Sequence, residues 1–221
     1  MAVVVSVNVG EVRQVDWHGR AVETAIWKSP VVGRIAVRGV NVHGDDQADR
    51  RVHGGPDKAV YAYAVEDYEW WANELGRPME PGTFGENLTV SGVALGDAVI
   101  GTRWSIGTVE LEVAQPRQPC FKLGLRMGDA DFVERFDQAE RFGAYLRIVR
   151  EGDIGAGDEI AVVRARSEGI TIRELGTMGR DATVEQLRRV VDDVDVPEGW
   201  QDWARRGLRR AAPSSATRVV E

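Results

Sequence analysis

The sequence contains one cysteine, Cys120, among its 221 residues. A single cysteine cannot form a disulfide within the chain, and it cannot build a zinc site from several thiolates. A small secreted domain held together by disulfides is therefore excluded. A lone cysteine is most often an inert buried thiol, so a functional role for Cys120 has to be argued from its neighbours.

Long apolar runs are also missing. No stretch approaches the roughly 18–20 apolar residues that a membrane-spanning helix needs. The apolar start of the chain, residues 2–7, lacks the basic region of a secretory signal and is more typical of a first strand. The sequence therefore predicts a cytoplasmic protein with no membrane partner.

Lysine is scarce, and acidic residues outnumber basic ones. The chain has 28 Lys and Arg against 35 Asp and Glu, a net charge of −7, and only three of the cations are lysines, Lys28, Lys58 and Lys122. An acidic chain without a concentrated basic face is a poor candidate for nucleic-acid binding, so no nucleic-acid partner is expected.

Several common enzyme motifs are missing as well. The sequence has no Gly-x-Ser-x-Gly elbow, no P-loop and no complete dinucleotide fingerprint, which argues against a serine hydrolase, a P-loop NTPase and a Rossmann dehydrogenase. No flavin, iron–sulfur or NAD motif is visible.

The first 165 residues have the pattern of a β-rich domain. Apolar or alternating runs typical of strands cover residues 3–9, 34–40, 60–64, 108–114 and 145–149. Gly-Asp turns precede two further β-branched runs, at residues 95–100 and 156–162, and short strands of this kind favour a closed or nearly closed barrel. Amphipathic segments at 66–75 and 129–141 predict helices packed on it, so the fold class is mixed α/β and β-dominated.

The composition changes after residue 165. Short helices are predicted over residues 171–175, 183–191 and 200–210, the second one starting with a capping box formed by Thr183 and Gln186. We therefore divide the chain into a barrel domain (1–165), a three-helix unit (166–210) and a disordered tail (211–221). Nothing in the residues of the helical unit decides between dimerisation and partner docking.

Cys120 has unusual neighbours. Pro116 and Pro119 stiffen the approach to it, and a helix-like segment follows, so Cys120 is expected at or near a helix N-terminus, between Arg117 and Lys122. Unpaired amides, the helix dipole and nearby cations all favour a thiolate over a thiol. This context favours a functional cysteine over an inert one.

Two glycine-rich segments could also contribute to a site. In residues 53–58 (HGGPDK), the glycines beside His53 would let a ligand approach the backbone, although a histidine in an ordinary turn explains the pattern equally well. Residues 82–87 (GTFGEN) carry Thr83 and Asn87, and by themselves are explained more simply as a hairpin turn. Lys28, taken alone, is typical of a solvated lysine.

Taken together and in this order, five segments resemble the MOSC family, and within it the YiiM-like branch. They are residues 26–30 (IWKSP), 44–49 (GDDQAD), 53–60 (HGGPDKAV), 85–88 (GENL) and 116–120 (PRQPC). Each motif is weak by itself, but five in register are specific. The resemblance runs from about residue 5 to the end, and residues 166–210 are similar to the three-helix appendage of YiiM-like proteins.

The resemblance implies a β-barrel MOSC domain that binds molybdenum cofactor, with the sulfur of Cys120 facing the metal as its ligand. It places Lys28, His53 and Cys120 at the positions of a polar triad. It also places Thr83, Asn87 and Arg117 in the lining of the cofactor pocket.

Three functions stay open at this point. The first, which the resemblance implies, is a molybdenum-dependent reductase of N-hydroxylated bases such as 6-hydroxylaminopurine, supplied with electrons by an external reductase. The second is a carrier that holds molybdenum cofactor without turnover. The third is a sulfur carrier with a persulfide on Cys120. A homodimer is compatible with each of them.

Overall fold

The computed structural model describes residues 1–49, 54–179 and 181–211. The strands in chain order are β1 (Val3–Val9), β2 (Arg13–Trp17), β3 (Arg20–Thr24), β4 (Ser29–Pro30), β5 (Arg34–Arg38), β6 (Asn41–Val42), β7 (Val60–Ala64), β8 (Leu88–Ser91), β9 (Arg103–Ile106), β10 (Val109–Pro116), β11 (Ala144–Arg150), β12 (Gly152–Gly155) and β13 (Ile160–Arg164). The helices are α1 (Val65–Leu75), α2 (Phe121–Met127), α3 (Phe132–Gln138), α4 (Ile172–Thr177), α5 (Val184–Asp192) and α6 (Glu198–Ala211), with 3₁₀ turns at Pro56–Lys58 and Leu95–Asp97. The fold is thus mixed α/β and strand-rich.

The main sheet has eight strands in the order β13-β9-β10-β11-β7-β8-β1-β4. Its pairs are antiparallel except β7 with β8, which run parallel. Near its start, β1 also contacts the segment that leads into β13: Val4 N donates to Asp158 O at 2.9 Å and Ile160 N donates to Ala2 O at 2.8 Å. The strand order is that of an open sheet, with β13 and β4 at its ends, so the closed barrel stays a prediction.

Strand β10 is more buried than its alternating sequence predicts. Its polar residue Glu112 is 6% exposed because two arginines from the neighbouring strands pair with it. Arg103 Nε donates to Glu112 Oε2 at 2.7 Å, and Arg147 Nη1 donates to Glu112 Oε1 at 2.9 Å. Satisfied in this way, a carboxylate can lie on a face that would otherwise have to be apolar. The strand leads directly to Arg117 and Cys120.

A second, aromatic core lies where α1, α2 and α3 cover β7. Trp71, Phe132 and Phe136 are each at most 1% exposed, and Trp71 Nε1 donates to Tyr63 Oη at 2.8 Å. Helix α1 ends at Gly76, whose φ of 64° is the left-handed conformation that glycine adopts without strain. The aromatic core supports the inner side of the segment that carries Cys120.

The C-terminal helices pack on the same core as the sheet. The predicted capping box is present at the start of α5, where Thr183 accepts from Gln186 N and Gln186 accepts from Thr183 N. Ile172, Leu187 and Trp200 belong to one continuous cluster with the strand residues. The domain boundaries at 165 and 210 stay predictions, and residues 212–221 of the predicted tail lie outside the described residues. No helix in the described part of the chain is long and apolar enough to cross a membrane.

Candidate functional site

A pocket lies beside Cys120 and holds about 590 Å³ of empty space, part of it open to solvent. Its lining residues are Thr24, Ala25, Ile26, Lys28, Asp46, Gln47, Ala48, Asp49, Lys58, Tyr61, Gly85, Asn87, Arg117, Cys120, Lys122 and Tyr145. They come from loops, strands and the first turn of α2, which are distant in sequence. All three lysines of the chain are among them, in a protein whose net charge is −7. With Arg117, the pocket has four cationic side chains against two carboxylates, those of Asp46 and Asp49.

Cys120 is half-buried and is the N-cap residue of α2, as the proline pattern predicts. Its carbonyl accepts from Leu123 N at 2.8 Å, which closes the first turn of the helix. Two cations are electrostatically coupled to it. Burial lowers the pKa of Lys58, and the charges of Asp57 and Cys120 act in the opposite direction. Burial acts to lower the pKa of Arg117, but the charges of Tyr61, Tyr145 and Cys120 raise it above its ordinary value.

Lys28 lies in a buried ion pair. Its Nζ is 2.5 Å from Asp45 Oδ2, and the two side chains are 8% and 0% exposed. Asp45 Oδ2 also accepts from Asn87 Nδ2 at 2.8 Å, and Asp45 Oδ1 accepts from Gly10 N at 2.8 Å. Burial lowers the pKa of Lys28, and the Asp45 carboxylate offsets this only in part. A lysine in this state releases a proton more readily than a solvated one.

Glycines hold the segment that carries Lys28. A Cβ on Gly10 would lie 2.5 Å from Trp27 O, and a Cβ on Gly82 would lie 2.5 Å from Lys28 O. On the same side as Gly82, a Cβ on Gly85 would lie 2.9 Å from Ile26 Cγ1. Residues 26–28 are thus enclosed between two backbones that only glycine allows to come this close. This packing aims Lys28 at Asp45 and at the pocket.

Arg117 and Asn87 are fixed by the backbone around them. Arg117 is 7% exposed, its Nη1 donates to Phe84 O, and its guanidinium carbon lies 5.1 Å from the centre of the Tyr61 ring. Asn87 Oδ1 accepts from Tyr61 N at 3.1 Å. Both side chains reach the pocket wall in one defined orientation.

Glu86 lies behind this wall and is fully buried. Its Oε1 accepts from Tyr68 Oη at 2.6 Å, from Gly82 N at 2.6 Å and from Thr89 Oγ1 at 2.7 Å. Burial raises the pKa of Glu86, and these hydrogen bonds act in the opposite direction. Its Oε2 has no partner among the described residues.

The structure brings four of the six predicted site residues together, since Lys28, Asn87, Arg117 and Cys120 line the same pocket. Thr83 does not line it, and its hydroxyl donates to Glu80 O at 2.5 Å. His53 lies outside the described residues. Within the described ranges, no group of three or more His, Cys, Asp or Glu side chains is arranged to hold a metal ion.

Sequence reasoning missed Asp45 as the partner of Lys28, and it did not assign Lys58 to the site. Asp45 is one of three aspartates in residues 44–49, and the sequence offers no means of choosing among them. Lys58 could have been found, because it is one of only three lysines and ends a glycine-rich motif.

The sequence model of the MOSC domain matches residues 49–161 of this chain. The chain belongs to the MOSC family. A crystal structure of the MOSC relative YiiM from Geobacillus stearothermophilus matches it with a TM-score of 0.78 and 28% identity, over 94% of this chain and all of that one. The match places the chain in the YiiM-like branch.

Two further relatives of this MOSC chain differ in length. YflK of Bacillus subtilis is 33% identical over 200 residues, which is 90% of each protein. A protein named reductase from Gibberella moniliformis is 32% identical over 167 residues, which is 73% of this chain and 29% of the fungal protein. The fungal relative is thus much longer than its MOSC-like part.

Proposed function

We propose that the protein binds molybdenum cofactor with Cys120 as a ligand of the metal and reduces N-hydroxylated bases such as 6-hydroxylaminopurine. Membership of the MOSC family is consistent with cofactor binding. The observation that carries the proposal for this chain is that its only thiol opens into a pocket shared with Lys28, Lys58 and Arg117.

The chemistry of the pocket fits such a cofactor. Its dithiolene and phosphate groups are anionic, and the pocket offers four cationic side chains beside one thiol: Lys28, Lys58, Lys122 and Arg117. A thiolate is a soft ligand suited to a metal that also binds sulfur. Arg117, with its planar guanidinium, would pair with the phosphate. Asn87 Oδ1, which accepts from Tyr61 N, would accept a second hydrogen bond from the pterin.

The reaction cleaves an N–O bond. Two electrons and two protons convert the N-hydroxyl group into N–H and release water. When bound, the molybdenum cofactor supplies the two electrons. A proton has to reach the leaving oxygen, and Lys28 is placed to deliver one because it lines the pocket and burial lowers its pKa. His53 is the other candidate donor.

The electrons have to be renewed from outside, so the proposal includes an external reductase as partner. A fungal relative carries the name reductase, and about seven tenths of its length lies outside the part that matches this chain.

The proposal is tested by metal content and by turnover. The protein is produced in a host that makes the cofactor, and molybdenum is measured in the wild type, in Cys120→Ala and in Lys28→Met. We expect about one molybdenum per wild-type chain, a loss of at least about tenfold in Cys120→Ala, and a smaller loss in Lys28→Met, which removes one of the four cations of the pocket. A chemical reductant and 6-hydroxylaminopurine then give turnover in the wild type and at least about hundredfold less per bound molybdenum in Lys28→Met.

The outcomes separate the alternatives. Equal molybdenum in the wild type and in Cys120→Ala, both with unchanged melting temperature, overturns the ligand role. Bound molybdenum without turnover identifies a cofactor carrier, and a persulfide on Cys120 without metal identifies a sulfur carrier. The pH–rate profiles of Lys28→Ala and His53→Ala decide which residue donates the proton, and two unchanged profiles exclude both.

A further inference from the structure

The side chain of Gln115 connects the C-terminal helices to the turn that precedes the pocket residue Lys58. Gln115 lies on β10 and is 7% exposed. Its Oε1 accepts from Trp200 Nε1 on α6 at 2.9 Å. Its Nε2 donates to Asp57 O, in the 3₁₀ turn Pro56–Lys58, at 3.0 Å. The oxygen of this buried amide therefore bonds α6, and its nitrogen bonds the 3₁₀ turn.

Arg147 joins the same two parts in parallel. Its Nε donates to Asp57 Oδ1 at 2.5 Å, and its Nη1 donates to Asp195 O, in the loop before α6, at 3.0 Å. Gln115 thus bonds the backbone of Asp57, and Arg147 bonds its side chain. Gln115 also bonds α6, and Arg147 also bonds the loop before α6. Lys58 is the next residue and lines the pocket with Cys120.

We propose that Gln115 is a positioning residue that couples α6 to the Asp57–Lys58 turn and so holds Lys58 at the pocket. The 3₁₀ turn contains no buried residue and has no side-chain cap, so its own packing is a weak constraint. When one partner of a buried hydrogen bond is removed, the other partner is left unsatisfied. Of the two segments that Gln115 joins, the less tightly packed one is then expected to rearrange. That segment is the turn, because Trp200 belongs to the main core.

This role goes beyond cofactor binding and does not require the proposed reaction. It assigns a task to the three-helix unit, which the sequence leaves open between dimerisation and docking. The helices act on the pocket within one chain, through Trp200 and Gln115.

The composition of the chain provides a direct readout, because there are only three lysines. The intact chain is acetylated with limiting acetic anhydride at one fixed pH, and the rates at Lys28, Lys58 and Lys122 are read separately by mass spectrometry. Lys28 is buried in an ion pair, so its acetylation rate rises if the protein as a whole becomes less stable. Lys122 is the second internal reference.

The variants are Gln115→Met, which removes both hydrogen bonds, and Trp200→Phe, which removes only the indole donor. Trp203→Phe is the matched control, since Trp203 lies on the same helix with its ring 5.6 Å from that of Trp200, and its indole bonds no described residue. We expect Lys58 to be acetylated about threefold faster in Gln115→Met, about twofold faster in Trp200→Phe and at the wild-type rate in Trp203→Phe. The rates at Lys28 and Lys122 should not change.

An unchanged Lys58 rate in Gln115→Met and Trp200→Phe overturns the proposal. So does a parallel increase at Lys28, because the effect would then be general destabilisation. If Gln115→Met does not fold, Trp200→Phe against Trp203→Phe decides by the same criterion. The result is independent of molybdenum content, so it can fail or succeed separately from the proposed function.

Discussion

At the scale of single residues, the site depends on charges that are buried in pairs. Asp45 accepts hydrogen bonds from Lys28, Asn87 and Gly10 and is 0% exposed in its side chain. A carboxylate in such a place is stabilised only while its partners remain, and the ammonium of Lys28 likewise depends on Asp45.

Asp45→Asn is expected to lower the free energy of unfolding by about 3 kcal/mol, because it leaves the ammonium of Lys28 buried without a counter-charge. The half-exposed pair of Arg34 with Asp158 is the control, since Arg34 is 48% exposed there. Arg34→Met should cost less than about 1 kcal/mol. Urea unfolding measures both values, and similar costs would contradict the buried pair.

Glu86 gives a prediction for pH dependence. Burial raises its pKa in the folded protein above the ordinary value of 4.5, so the unfolded chain loses this proton at a lower pH than the folded protein does. The raised pKa therefore adds to the free energy of unfolding in full below pH 4.5, where Glu86 is neutral in both states. This contribution is lost as the pH rises through the pKa that Glu86 has in the folded protein. Glu86→Gln, which cannot ionise, should gain stability relative to the wild type over the pH range above 4.5.

Urea unfolding of the wild type and of Glu86→Gln at several pH values across this range measures the difference. A constant difference between the two proteins would show that the raised pKa is not a property of the folded state.

At the scale of elements, close backbone packing places the site. The loop that contains Gly82 lies against the backbone of Lys28, and a Cβ at Gly82 would come within 2.5 Å of Lys28 O. Gly82 also has a φ of +86°, which disfavours any side chain.

Gly82→Ala should therefore cost about 3 kcal/mol or more, from the sum of backbone strain and overpacking. Gly76→Ala is a matched control, because Gly76 has a φ of +64° but nothing within 4 Å of an added Cβ. It should cost about 1 kcal/mol, from strain alone. Equal costs in urea unfolding would show that the contact with Lys28 is not tight.

At the scale of the whole molecule, the C-terminal helices and the sheet share one core. Leu187 of α5 is 4% exposed and belongs to the cluster that contains the strand residues. A shared core of this kind unfolds as one unit.

Leu187→Ala should lower the free energy of unfolding by about 3 kcal/mol and move one single transition. Val194→Ala, at a position 88% exposed, should change it by less than about 0.5 kcal/mol. Calorimetry distinguishes the cases: two transitions, of which only one moves in Leu187→Ala, would show that the helices unfold independently.

Some features of the protein follow from local sequence alone. The prolines before Cys120 predict its place at the start of a helix, and the structure has Cys120 at the N-cap of α2. The capping box at Thr183 is confirmed for the same reason, because its two partners are three residues apart. Such features depend only on near neighbours, so the residues that make them are visible together in the sequence.

Periodicity predicted the positions of β1, β5, β7, β10 and β11, but the pairing of the strands was not predictable. The prediction of a strand within residues 95–100 is wrong, since a 3₁₀ turn lies at Leu95–Asp97. Residues 60–64 form a wholly buried strand, as their apolar run predicts. Alternation such as that at residues 108–114 is typical of a strand with one exposed face, but β10 is buried almost throughout. Its polar residue Glu112 can be buried because Arg103 and Arg147 pair with it. Those partners come from neighbouring strands, so the alternation by itself could not reveal them.

The candidate site likewise combines features that follow from local sequence with features that depend on contacts between distant segments. The sequence by itself determined that there is one thiol, that it follows two prolines, and that few lysines are available to accompany it. Only the tertiary structure decided that Asp45 rather than Asp46 or Asp49 pairs with Lys28, that Thr83 turns away to Glu80, and that Trp200 reaches Asp57 through Gln115. The physical reason is that burial and hydrogen-bond partners are set by contacts between segments far apart in the chain.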